Sequence, residues 1–261
     1  MIEGRALVTG ASDRLGRAMA LQLADMGFDV AVHYGFSPEG AQAVVAEIEA
    51  KGRKAAAVQC DLLDLDATER LVGQAADALG GPLSVLVNNA SIFEHDTIES
   101  ATRDSWDRHM LSNFQAPFIL TQRFAAQAPD AGTDARGEPI ARAAIVNMID
   151  QRVRKLTPEF MTYTLAKMGL WALTQTSAQG LAPKVRVNAI GPGPTMQGAR
   201  QSAEHFAGQR AATISGRGSN PEDIVAALQY ILQAPALTGQ LLCIDSGQHL
   251  AWQTPDVLGI E

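Results

Sequence analysis

Short apolar runs recur along this chain at residues 6–9, 29–33, 55–59, 85–88, 144–148, 186–189 and 241–244. Helix-length stretches rich in Ala and Leu lie between them, at about 15–26, 38–51, 66–79, 102–128, 160–181 and 221–233. Most of the short runs are apolar at successive positions, which is the pattern of strands covered on both faces. Strand and helix in alternation imply repeated βαβ units. The expected fold is therefore α/β: a doubly wound parallel sheet of about seven strands with helices on both faces.

Length alone leaves 261 residues between one domain and two. At 46% hydrophobic and 19% charged, the chain can bury a large core. Candidate chemical residues run from Thr9 to Lys167 across one run of strands, so a single catalytic domain over residues 1–261 is expected. Two segments break the rhythm. Residues 129–139 are rich in Gly, Asp and Pro and read as a surface loop. Residues 192–220 follow a Gly-Pro-Gly-Pro sequence with weak periodicity, and read as a substrate lid. Pro221 suits the first turn of a helix, behind Ser219 or Asn220 as cap.

A net charge of −7 and the lack of a basic patch argue against a nucleic-acid partner. Cys60 and Cys243 are too few for a disulfide framework and read as reduced core residues. The chain runs from Met1 almost directly into its first strand, and no stretch of about 18 apolar residues occurs. A cytoplasmic protein with no membrane partner is the expectation. No metal site is expected.

Thr9-Gly10-Ala11-Ser12-Asp13-Arg14-Leu15-Gly16 joins the first strand to the first helix. Small residues there let the backbone approach a pyrophosphate, and the helix N-terminus presents free N–H groups. Gly10, Ser12, Arg14, Leu15 and Gly16 are thus candidate cofactor residues. Arg14 replaces a commonly found middle glycine and adds a charged fork at the mouth of the phosphate site. The second strand ends in His33-Tyr34-Gly35-Phe36-Ser37, without the carboxylate that binds the ribose of NAD. Ser37, with help from His33 and Tyr34, can take a 2′-phosphate, so NADP(H) is favoured over NAD(H). Asp13 weighs the other way. Asp61 and Leu62 follow the third strand; Asp61 can accept from the adenine amino group or cap a helix.

Tyr163 and Lys167 are four apart in a helical stretch and share one face. An ammonium beside a phenol lowers its pKa by favouring the phenolate. Such a pair can exchange a proton during hydride transfer. It follows the fifth strand, which leads into Asp150, and ligands bind at the carboxyl ends of parallel strands. Asn89 and Ala90 end the fourth strand. Asn113, inside a long helical stretch, reads from the sequence as a buried hydrogen-bonding residue.

Taken in order, Thr9-Gly10…Gly16, Asn88-Asn89-Ala90, Asn113, Tyr163…Lys167 and Pro192-Gly193 resemble the short-chain dehydrogenase/reductase family over essentially the whole chain. The resemblance implies a single-domain Rossmann fold, a nicotinamide cofactor and a homotetramer. It implies that Tyr163 donates the proton and that Lys167 binds the nicotinamide ribose and lowers the tyrosine pKa. Asn113 would hold a relay water, Asn89, Ala90, Pro192 and Gly193 would line the cofactor site, and the stretch after Pro192 would be the lid.

Two departures narrow the class. Asp150 stands thirteen residues before Tyr163, where that family usually has serine, and Arg14 stands in place of the middle glycine. An ionised carboxylate cannot donate to a carbonyl substrate; it suits one with N–H groups or a ring nitrogen to protonate. Both departures, with Ser91 and Phe93 after Asn-Asn-Ala, resemble the pteridine reductase branch, including dihydromonapterin reductases. That resemblance implies NADPH-dependent reduction of a dihydropterin. The flat substrate would stack between nicotinamide and Phe93, with its edges bonded to Ser91, Arg14, Asp150 and Tyr163. Phe93 can equally be a packing residue. Two other functions are open on the sequence: a short-chain reductase or dehydrogenase of another small carbonyl or alcohol, and a non-catalytic nucleotide-binding regulatory protein.

Overall fold

The computed structural model describes residues 2–198 and 201–253. Strand β1 (Arg5–Val8) leads into helix α1 (Arg14–Asp25), then β2 (Asp29–Tyr34), α2 (Pro38–Ala50), β3 (Ala55–Gln59), α3 (Leu65–Leu79) and β4 (Val85–Asn88). Helices α4 (Arg103–Met110) and α5 (Ala116–Gln127) follow, then a short antiparallel pair, β5 (Gly132–Thr133) with β6 (Pro139–Ile140). The chain continues through β7 (Ala143–Met148), α6 (Met161–Leu181), β8 (Val185–Pro192), α7 (Ala203–Ala211), α8 (Pro221–Gln233) and β9 (Leu241–Ile244).

Seven strands form one parallel sheet in the order β3-β2-β1-β4-β7-β8-β9. Chain order reverses between β1 and β4, and the crevice outside the strand ends at such a switch point is where α/β sheets bind ligands. The strands are apolar on both sides for a simple reason. Ala6 and Val8 face a cluster with Met19, Leu23, Val44 and Ile231. Leu7, between them, faces the opposite cluster with Leu71, Leu86, Phe124 and Ile145. Helices cover both faces, so alternation along each strand is between two cores.

Local signals fix the helix ends. Asp64 caps α3 by accepting from the Ala67 N–H (2.9 Å), and Gly80 ends it in the left-handed conformation. Asn220, with its N–H bonded to the Asp223 carboxylate (2.8 Å), precedes Pro221 at the start of α8.

Four sequence expectations change. The stretch 102–128 is not one α-helix: a π-helical turn at Leu111–Gln115 separates α4 from α5. Pro117 is the cause, since it has no N–H to give the carbonyl of Asn113 four residues back. The loop at 129–139 folds into the β5–β6 pair. Within the segment 192–220, of which residues 199 and 200 lie outside the described residues, residues 203–211 form α7, and its last turn is pinned. Arg210 donates to the carbonyls of Pro194 (3.0 Å) and Ser219 (2.7 Å) and to Asn220 Oδ1 (2.9 Å). Finally, Cys60 is buried but Cys243, on the edge strand β9, is only partly so; both thiols are free.

Candidate active site

Two glycines shape the turn after β1. Gly10 has φ +61°, and a Cβ there would lie 3.0 Å from Ala90 Cα. At Gly16 an added Cβ would lie 2.0 Å from the Gly10 carbonyl oxygen, so helix and turn can meet only without side chains. Asn89 braces the same turn, donating from its amide to the carbonyls of Thr9 (2.9 Å) and Gly10 (3.1 Å). The Thr9 hydroxyl accepts from the N–H groups of Asn89 (2.9 Å) and Ala90 (3.0 Å).

His33 is corrected by its surroundings. It is 2% exposed, and its Nδ1 accepts from the Gly10 N–H (3.0 Å). The proton is therefore on Nε2, which donates to the Cys60 carbonyl (3.0 Å). Both ring nitrogens are used within the protein, and burial pushes the pKa down to about 4. His33 is a neutral strut under the glycine turn and has no atom left for a phosphate.

Arg14 adopts φ +52°, which explains why glycine is the easier residue there. Its guanidinium crosses the cleft and donates to the carbonyls of Gln197 (2.9 Å) and Met196 (3.2 Å) in the 192–220 segment. Asp13 accepts from the Arg14 N–H (2.6 Å), leaving further first-turn N–H groups of α1 without intrahelical acceptors. A bare glycine turn and a helix N-terminus together fit a dinucleotide pyrophosphate.

A cleft of about 930 Å³ opens here. It is lined by Gly10, Arg14, Leu15, Gly16, Asn89, Ala90, Ser91, Phe93, Asp150, Pro192 and Gly193, which the sequence had placed far apart. Ser12, Tyr34, Ser37, Asp61 and Leu62 are not part of this lining; Ser12 is in the turn after β1, and the other four sit at or just past the ends of β2 and β3. Asp61 accepts from the Leu63 N–H (3.0 Å) and is not the cap of α3.

Tyr163 and Lys167 lie on α6, beneath the cleft floor and almost fully buried. The phenol donates to Asp150 Oδ2 (3.0 Å), and Asp150 Oδ1 accepts from the Arg152 N–H (2.8 Å). Lys167 Nζ donates to the Met148 carbonyl (2.8 Å) and lies 5.6 Å from the Tyr163 ring centre. Burial lowers the Lys167 pKa to about 8, opposed by Asp150. Burial also raises the Asp150 carboxyl, opposed by the Arg152 N–H and charge, by Tyr163 and by Lys167.

The phenol does not behave as the sequence suggests. Burial, then the Asp150 charge and hydrogen bond, push its pKa well above 10, while Arg152 and Ser91 favour the phenolate less strongly. A carboxylate 3.0 Å away outweighs an ammonium whose proton is committed to a carbonyl. At neutral pH Tyr163 is a neutral donor.

Asn113 is buried and hydrogen-bonded, as its place in the helical stretch suggests. Its Oδ1 accepts from the Ile92 N–H (2.8 Å) and its Nδ2 donates to the Ile92 carbonyl (2.8 Å). The side chain clamps the loop carrying Ser91 and Phe93. Phe93 packs edge-on to Tyr163 at 4.7 Å between ring centres. Its flat contact is with Phe160, at 4.3 Å and 6°. Arg152 lies over the Phe160 ring at 4.8 Å. Sequence patterns single out Phe93 but not Phe160 or Arg152. The only available signal was an aromatic three residues before Tyr163.

A glycine turn at the switch point of a parallel sheet, with a buried Tyr–Lys pair across the cleft, defines a dinucleotide-dependent oxidoreductase. A family model described as short chain dehydrogenase matches residues 5–207, and the chain belongs to that family. It is 30% identical to the 3-oxoacyl-[acyl-carrier-protein] reductase FabG of Staphylococcus aureus (strain Mu50 / ATCC 700699) over 250 residues, covering 94% of this chain and 98% of the relative. Among solved structures it is similar to FolM Alternative dihydrofolate reductase 1 from Brucella suis in complex with NADP. That match has a TM-score of 0.89 and 40% identity, over 97% of this chain and 98% of the other. The Brucella canis protein of the same description, complexed with NADP, matches at TM-score 0.88 and 38% identity over 98% of both chains.

Proposed function

We propose that this protein is an NADPH-dependent reductase of a dihydropterin-type substrate. The observation that carries this reading is the Tyr163–Asp150 pair: a neutral phenol bonded at 3.0 Å to a carboxylate in a cleft walled by Phe93. A carbonyl substrate wants two donors on its oxygen, whereas a pterin ring offers N–H groups for Asp150 to accept and a ring nitrogen to protonate. The similarity to the two Brucella proteins, whose descriptions name dihydrofolate reduction and NADP, supports both halves of the reading.

Bound in the cleft, NADPH would supply a hydride to the pterin C=N carbon. Gly10, Leu15, Gly16, Ala90, Pro192 and Gly193 would hold it at the glycine turn, and Ser12, Tyr34, Ser37, Asp61 and Leu62 at the adenosine end. Lys167 would take the nicotinamide ribose. Tyr163 gives its proton to the ring nitrogen while Asp150 steers the phenol and accepts from the substrate edge. Ser91 and Arg14 bond the remaining edge. With its side chain bound to Ile92, Asn113 contributes to a relay only through its carbonyl, which Pro117 deprives of the usual donor. The segment 192–220 acts as the lid, held by Arg14 in the closed state. We assign the whole chain to one catalytic domain, working in the cytoplasm as a homotetramer, whose mass light scattering would check.

Oxidation of NADPH with dihydrobiopterin, dihydromonapterin and dihydrofolate tests the reading. Turnover of at least one is expected; no turnover of any, with NADPH or NADH, overturns it. The similarity to FabG supports a second reading, a reductase of another small carbonyl. Asp150→Ser separates the two: it is expected to abolish pterin reduction, while a gain in ketone reduction by a protein that never used pterins favours the second.

A further inference from the structure

Behind the phenol lies a buried polar cluster that no step above uses. Asp96, His109 and Thr162 are each at most 2% exposed and come from three elements: the loop after β4, helix α4 and the first turn of α6. The Glu94 N–H donates to His109 Nε2 (3.1 Å). That places the imidazole proton on Nδ1, which donates to Thr162 Oγ1 (2.7 Å). Thr162 Oγ1 in turn donates to Asp96 Oδ2 in a short bond. Asp96 Oδ1 accepts from the Thr162 N–H (3.1 Å), and Ser105 adds a hydroxyl to Oδ2 (3.1 Å).

The ends of this chain of bonds matter. It begins at the residue after Phe93, passes through the residue before Tyr163 and closes on Asp96. Helix α6 has no side-chain cap of its own, because its cap residue is Phe160 in the left-handed conformation. Asp96 supplies the missing acceptor from outside, and a carboxylate at a helix N-terminus is favoured by the helix dipole.

We propose that Asp96, His109 and Thr162 are positioning residues that set the gap between the Phe93 ring and the Tyr163 phenol, and so the width of the substrate slot. Glu94, anchored through its N–H, also pairs with Arg108 on α4 (3.0 Å), so the loop is held on both sides. Asn113 clamps the same loop at Ile92. Tyr163 is 5% exposed on a 21-residue helix, whereas Phe93 sits on a loop and is 46% exposed. Loss of the network therefore displaces Phe93 rather than the phenol. Its signature is weaker substrate binding with the chemical step preserved. Burial keeps the His109 pKa low, against the pull of Asp96 and Glu94, in keeping with an Nε2 that accepts.

The proposal rests on the assignment of Tyr163 and Phe93 to the substrate site, and the test keeps the two separable. Thr162→Val keeps shape and removes the hydroxyl; Thr162→Ser keeps the hydroxyl. With the substrate that the wild type reduces, pterin or ketone, Thr162→Val is expected to raise KM about tenfold, the scale of a lost bond to a charged group. Its kcat and NADPH affinity should stay within about twofold, below the scale of a single hydrogen bond. Thr162→Ser should restore KM. A Thr162→Val enzyme with unchanged KM, a loss confined to kcat, or a Ser variant no better than Val overturns the proposal. If the wild type reduces ketones only, the pterin reading fails while this comparison still decides the network. If it reduces nothing, hydrogen exchange of the peptide spanning residues 91–97 decides. Faster exchange in Thr162→Val than in Thr162→Ser supports the network, and equal exchange overturns it.

Discussion

Phe36 stands 85% exposed at the end of β2, next to Ser37, where the NADPH reading puts the 2′-phosphate without a cation. Its ring supports no core, so the position is free to change. Phe36→Arg is expected to tighten NADPH binding about tenfold and leave NADH unchanged, since a guanidinium pairs with phosphate through two parallel bonds. Fluorescence titration with both cofactors measures it, and an equal gain for both would count against the placement. At the Tyr163–Lys167 pair, which the proposed function makes catalytic, the two pKa directions assign the alkaline limb. Tyr163 stays protonated well above pH 10, whereas Lys167 loses its charge near pH 8. Reductive kcat/KM is therefore expected to decline above about pH 8. A limb displaced to the ordinary tyrosine range would show that the phenol, not the ammonium, governs it. The Tyr-x-x-x-Lys spacing made this pair visible in the sequence. The sign of the tyrosine shift was not, because it depends on the distance to Asp150, thirteen residues away in the chain.

Arg14 links two elements that the chain separates by about 180 residues. A strained left-handed backbone at a non-glycine residue costs on the order of 1 kcal/mol, and here it aims the guanidinium at the carbonyls of Met196 and Gln197. Arg14→Gly removes both the strain and the latch. The global melting temperature should change little, while chymotrypsin should cleave near Phe206 several-fold faster, as expected when a locally stabilising contact is lost. An unchanged cleavage rate would mean that Arg210 alone holds the segment. The strand and helix pattern was legible because most elements carry their own signals, such as Asp64 and Gly80 around α3 or Pro221 at the start of α8. The π-turn was hidden, because Pro117 reads as a routine first-turn proline unless the helix before it is already known to run on.

Across the whole molecule, His33 ties folding to pH. Its pKa is about 4 in the folded protein against 6.5 for the free side chain. Between those values the unfolded chain binds more protons, so stability is fully present above about pH 6.5 and falls as pH drops towards 4. The loss amounts to about 3 kcal/mol. Urea midpoints across this range measure it, and His33→Gln should flatten the dependence. An equally steep curve in that variant would assign the effect to other groups. By itself the sequence determined the class of fold and marked the residues that the fold gathers around one cleft. Alternating apolar runs can be buried only in a two-faced parallel sheet, and a glycine turn after the first strand must open at its switch point. Tertiary structure alone decided what the polar side chains do. His33 and Asn89 look like ligand residues by position, yet their hydrogen bonds are taken up by backbone groups distant in sequence. A buried polar group takes whichever partner the fold brings within about 3 Å, and that distance is set by packing.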